Sequence, residues 1–185
     1  MSRFKVLRAN PRRSLAAMAT LLIAVGVTAA SGANFSATSA NPANTFTAGT
    51  MTIQNSKAPG AILTASNMKP GDPATKGVVD IKNTGSLAGA FTVGKTALTN
   101  SDGSNPMAAK LNVILTDCGT DLDCAAGTNS VKYTGTLAAM GTGIALSSFA
   151  ANEERRYEFS VALDASADNN YQGDNSVATF TWDAV

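Results

Sequence analysis

Between residues 155 and 164 the side chains alternate, with Tyr157, Phe159, Val161 and Leu163 on one face and Arg156, Glu158, Ser160 and Ala162 on the other. A period of two is the mark of a strand with one buried face and one solvated face. The same period runs through residues 45–54 with Met51 and Ile53 in phase, 76–83 with Val79 and Ile81, and 88–95 with Phe91 and Val93. It returns in residues 110–117 with Leu111, Val113 and Leu115, and in 130–138 with Val131, Tyr133 and Leu137. In the last segment Ala178, Phe180 and Trp182 alternate with Val177, Thr179, Thr181 and Asp183, and near Val177 cover on both sides is expected. Turn chemistry separates the runs: Pro70-Gly71-Asp72, Asn83-Thr84-Gly85, Asp102-Gly103, Gly141-Thr142-Gly143 and Gly173-Asp174. The pattern predicts an all-β domain, a single jelly-roll or Greek-key β-sandwich of seven to nine strands, with helix confined to short turns.

Only the N-terminus departs from this period. Arg3, Lys5, Arg8, Arg12 and Arg13 precede an uncharged apolar run over residues 15–30. That is the layout of a cleaved export signal, and a run so short falls below the roughly 20 residues a spanning helix needs. Small residues at Ser31 and Ala33 place the cut between Ala33 and Asn34, with Ala29 as an alternative. Three regions follow: residues 1–33 as signal peptide, 34–49 as an extended N-terminal segment, and 50–185 as the sandwich. The segment 34–49 carries no charge, and Phe35 and Phe46 are its large apolar side chains. It reads either as a leader loosely paired with its own sheet or as a strand able to add to the open edge of another copy.

Export changes the charge balance. The signal holds five of the fourteen basic residues and none of the thirteen acidic ones, which leaves nine against thirteen, or a net charge of −4. With no basic stripe, nucleic acid is disfavoured as a partner, and cleavage leaves no stable membrane insertion. Histidine is absent. Ser-His and Cys-His catalysis and the usual zinc ligand sets are thereby excluded.

Candidate chemistry is sparse. Cys118 and Cys124 enclose five residues, and in an exported chain with no other cysteine they read as a disulfide stapling one loop. Asp117, Asp121 and Asp123 surround that loop, while Asp168, Asn169, Asn170, Gln172 and Asp174 form a second oxygen-rich stretch. Neither has the spacing of an EF-hand calcium loop, and Asx turns give the same composition. The block Glu153-Glu154-Arg155-Arg156 reads as a solvated start to the strand that follows. Residues 66–77, SNMKPGDPATKG, lack the Gly-Lys-Ser/Thr ending and following helix of a phosphate loop, so they read as a turn between strands.

Three motifs occur in order along the chain. Residues 44–53, NTFTAGTMTI, come first; residues 66–72, SNMKPGD, with the strand ending at Asn83-Thr84-Gly85-Ser86, come second; residues 170–174, NYQGD, with the aromatic strand 177–182, come third. Together they resemble the TasA/camelysin (CalY) family of secreted matrix proteins. The resemblance implies a jelly roll exported through a dedicated signal peptidase and assembled into extracellular or cell-surface fibres of a biofilm matrix. It also implies growth by donor-strand addition, in which residues 34–49, with Phe35 and Phe46 as anchors, complete the sheet of the next copy or of a related family subunit. The camelysin name carries a metallopeptidase label that a histidine-free chain does not match. The expectation is therefore a secreted structural protein without enzymatic activity, cofactor or metal. A monomeric surface adhesin or ligand-binding module is the alternative, and a secreted metallopeptidase the third reading.

Overall fold

A computed structural model describes residues 12, 15–21, 43, 45, 47–125 and 129–185. The chain divides into two compact units, Met1–Phe46 and Thr47–Val185. In the first, Arg12 and residues 15–21 are helical. The expected cleavage pair Ala33 and Asn34 and the expected anchors Phe35 and Phe46 lie outside the described residues.

The second unit holds eight strands: β1 (Ile53–Asn55), β2 (Thr75–Asn83), β3 (Gly89–Asn100), β4 (Leu111–Asp117), β5 (Ser130–Thr136), β6 (Ile144–Phe149), β7 (Glu154–Leu163) and β8 (Ser176–Ala184). Two single 3-10 turns, Met107–Ala109 and Asn169–Tyr171, are its other regular elements. Every pairing is antiparallel. The larger sheet has the order β1-β2-β7-β4-β5 and the smaller β6-β3-β8. An all-β sandwich is what the period-two pattern predicts, and most inward positions it names are buried: Val79, Ile81, Phe91, Val93, Leu111, Val113, Leu115, Leu137, Tyr157, Phe159 and Leu163; Val131 is instead 59% exposed, beyond a register shift between β4 and β5.

Aromatic contacts join the layers. Phe159 of β7 meets Phe180 of β8 at 4.8 Å between ring centroids, Tyr157 meets Trp182 at 5.2 Å, and Phe91 stacks on Phe149 at 4.2 Å within the smaller sheet. Such pairs contribute about 0.5–1.5 kcal/mol each beyond their buried area.

The differences from the pattern are local. β6 carries Ile144, Leu146 and Phe149 with a weak period and was not foreseen. β3 runs on to Asn100 through a register shift between Lys95 and Ala97, and that bulge hides its alternation from a strict period-two reading. Among the described residues of the expected strand 45–54 only Ile53 and Gln54 pair, in a strand that runs on to Asn55, with Ile53 opposite Asn83. Val177 is 64% exposed, so the outer side of β8 is open where cover was expected.

Two of the sequence motifs are explained by backbone chemistry. Lys69-Pro70-Gly71-Asp72 is a type II turn: Gly71 has φ +81° and the Asp72 amide donates to the Lys69 carbonyl at 3.1 Å. Asn83 is fully buried; its Nδ2 donates to the carbonyls of Leu87 and Ala150, and its Oδ1 accepts from the Gly85 amide. Beside it the Thr50 amide donates to Ser86 Oγ and the Thr84 amide to the Thr52 carbonyl, so residues 50–53 and 83–86 form one interlocked corner.

Candidate functional site

Among the described residues the smaller sheet has three strands. An eight-stranded jelly roll has two four-stranded sheets, ordered 1-8-3-6 and 2-7-4-5. Here 2-7-4-5 is complete, with β1 added beside β2, whereas 8-3-6 lacks the strand that would flank β8. β8 pairs with β3 from Ser176 to Ala184 and with no other strand among the described residues, so its second edge carries unpaired backbone groups.

An open cavity of about 930 Å³ lies along that edge. Its lining includes Val177, Ala178 and Phe180 of β8, Leu63 and Met68 of the loop before β2, and Phe159 and Leu163 of β7, with Lys69, Asp168 and Asp174 at polar positions. The volume is within the roughly 300–1,000 Å³ of ligand-sized sites, and the lining is mainly apolar. An exposed edge strand beside an apolar trough is the arrangement that β-augmentation uses: backbone groups supply register and the trough receives alternate side chains.

The opposite side of the sandwich is closed by charge. Asp117, at the inward end of β4, is 1% exposed. It accepts from Ser147 Oγ of β6 at 2.8 Å, from the Gly119 amide at 3.0 Å and from Arg155 Nη2 at 3.2 Å, with Lys132 Nζ at 3.7 Å. Burial raises the Asp117 pKa, but the Gly119, Ser147 and Arg155 donors outweigh it and hold the carboxyl below its usual range. Arg155 Nη1 also reaches Glu153 at 2.8 Å. Burial and the Asp117 charge raise the Tyr157 hydroxyl well above its ordinary value.

On the other face of β7, Arg156 grips Asp80, its partner in register on β2, through Nε and Nη2, the latter at 2.9 Å, and donates from Nη1 to the Leu122 carbonyl at 2.7 Å. That carbonyl belongs to the loop closed by the Cys118–Cys124 disulfide, whose Cα atoms are 4.7 Å apart. The block Glu153–Arg156 is therefore not a solvated start to the strand. Adjacent residues of a strand point to opposite faces, and each arginine meets a carboxylate on its own face.

The oxygen-rich stretches are turns. Asp121, Asp123 and Asp168 each accept an amide two residues ahead, in Asx fashion. Among the described residues no group of three His, Cys, Asp or Glu side chains is placed to hold a metal ion.

Residues 13–113 match the model of the camelysin metallo-endopeptidase family. The chain belongs to this family. The match covers the first two of the three motifs quoted above, and the third, residues 170–182, lies beyond it. No curated protein matches the chain. The family's name implies a metal-dependent peptidase, and the donor set of this camelysin-family chain does not fit one: histidine is absent, both cysteines are oxidised, and Asp117 and Asp80 are held by arginines. No hydrolytic step is derived from it. Among the described residues no helix is long and apolar enough to cross a membrane.

Proposed function

We propose that this camelysin-family chain is an exported, non-enzymatic structural subunit that assembles into an extracellular or cell-surface fibre by strand addition. The observation that carries this reading is that, among the described residues, the second edge of β8 is unpaired beside a mainly apolar trough. The strand it would receive is the segment 34–49 of a second copy. Its sixteen residues reach roughly 50 Å when extended, more than β8 requires. It carries no charged side chain, so entering the trough desolvates none. Phe35 and Phe46 would supply apolar anchors, and the backbone of β8 the register.

The test compares the chain beginning at Asn34 with one beginning at Thr50, by electron microscopy and sedimentation. Polymers are expected from the first and none from the second. Equal polymerisation by both would overturn the role of the segment. Cleavage of casein that is lost on chelation, in material free of host proteases, would overturn the non-enzymatic part of the reading.

A further inference from the structure

One stretch that lines the trough is unusual. Residues 63–66 alternate in burial as a strand does, with Leu63 and Ala65 half-buried and Thr64 and Ser66 exposed. Yet among the described residues none of them makes a backbone hydrogen bond to another segment. The stretch is fixed at its two ends instead, by the turn that closes Gly60 on Lys57 and by the Lys69–Asp72 turn, whose Gly71 amide donates to the Leu163 carbonyl. Between these points it is held by side chains, since Ile62, Leu63 and Met68 pack against the core. It also lies close over β2, because a Cβ on Gly77 would come within 2.5 Å of the Ile62 carbonyl oxygen and of Leu63 Cβ. A glycine at this inward position of β2 leaves the room that the stretch occupies.

A trough lined both by an unpaired strand edge and by an extended stretch without a ladder can hold an incoming strand by two ladders. We propose that residues 61–66 are a latent strand: when the segment of a second copy adds to β8, they pair with its other edge and extend the smaller sheet. The inference rests on the proposed strand addition and goes beyond it, because it assigns a second hydrogen-bonding partner within the receiving subunit. Pairing on both edges makes release of an added strand require the opening of two ladders at once, which lowers its dissociation rate. It also explains an alternating sequence that lacks a ladder, since backbone groups now facing solvent or the trough would gain partners only on assembly.

Amide hydrogen exchange on the exported chain, free and assembled, tests this directly. In the free chain the amides of 61–66 should exchange at least tenfold faster than those of β2 and β7. After assembly, both 61–66 and 176–180 should become protected. Protection of 176–180 with unchanged exchange at 61–66 would overturn the latent strand and leave strand addition standing. No new protection at β8 would refute strand addition and the latent strand with it. If the chain does not assemble, a synthetic peptide of residues 34–49 is the probe, and the same two regions are read. Proline variants give an independent reading. Amides of neighbouring residues in a strand point to opposite edges, so of Thr64→Pro and Ala65→Pro only one should block assembly. Both variants should keep the melting temperature of the free chain within a few degrees, because neither amide is bonded there. Two silent variants, or two that block while remaining folded, would overturn the proposal.

Discussion

Arg155 offers the sharpest test of how this sandwich is held shut. Its side chain is 20% exposed and faces Asp117, whose side chain is 1% exposed. Arg155→Met keeps the length and most of the packing but leaves the buried carboxylate without its guanidinium. Removing one partner of a buried pair costs about 3–5 kcal/mol, because the remaining charge has been taken out of water without compensation. Ser147, the Gly119 amide and Lys132 stay near Asp117, which argues for the lower end, about 3 kcal/mol. For a unit of this size that corresponds to a fall in melting temperature of about 10 °C. The assay is urea unfolding at pH 7 of the parent, Arg155→Met, Asp117→Asn and the double variant. The double variant should recover most of the loss, since it removes the unpaired charge, and the cycle isolates the pair. The difference between parent and Arg155→Met should also shrink below pH 4, where the unpaired carboxyl of the variant is protonated. A loss below 1 kcal/mol at pH 7, or a double variant as weak as Arg155→Met, would refute the claim that the ion pair is the clamp.

Three further outcomes follow from the same geometry. Asn83→Leu removes the group that satisfies the Leu87 and Ala150 carbonyls and the Gly85 amide, and at about 1–3 kcal/mol for each buried group left unpaired it should cost about 3 kcal/mol in denaturant unfolding. Cys124→Ser opens a short ring and should cost about 2 kcal/mol by the loop-entropy model, with faster amide exchange confined to the loop after Cys118. Hydrogen bonds from Ser166 and then Asn112 lower the Asp164 pKa to about 2, and the Asp117 carboxyl is also lowered, so at acid pH the unfolded chain binds more protons than the folded one. The melting temperature should therefore hold steady from pH 7 to about pH 5 and fall between about pH 4 and pH 2, and Asp164→Asn should make that fall shallower.

The period-two runs were legible because one face of each strand is buried. β7 and β4 show this most plainly: Tyr157 and Phe159 lie inward between polar neighbours, and Val113 and Leu115 lie inward while Asn112, Ile114 and Thr116 face outward. β6 was not legible: it is short, lies at a sheet edge and carries Ala145, Ser147 and Ser148 among its six residues. The arginines were misread because charge at the start of a strand says nothing of the partner across the sheet. Asp80 stands 76 residues from Arg156 along the chain, and only the β2–β7 register brings them opposite. The open flank of β8 was likewise invisible, since a missing neighbour is a property of topology. The signal that existed was the uncharged segment before the domain, which named a donor without naming an acceptor.

The two sides of this sandwich are built for opposite ends. On the side of β5 and β6, Ser147 of the smaller sheet bonds Asp117 of the larger, Lys132 bonds Ser147, and the disulfide loop is tied down by Arg156. On the side of β2 and β8, the layers meet through aromatic contacts, and beyond them lie a trough and a stretch without a ladder. Ion pairs and a covalent loop fix geometry; apolar contacts tolerate repacking. Under the proposed strand addition beside β8, the β2–β8 side would receive the new neighbour while the other side keeps the sheets in register. The five-stranded sheet faces a three-stranded one, and Ile62, Leu63 and Met68 of a stretch without a ladder also pack against the core. The charge clamp and the unfilled flank are thus complementary: the first allows the second to stay open without loss of the fold.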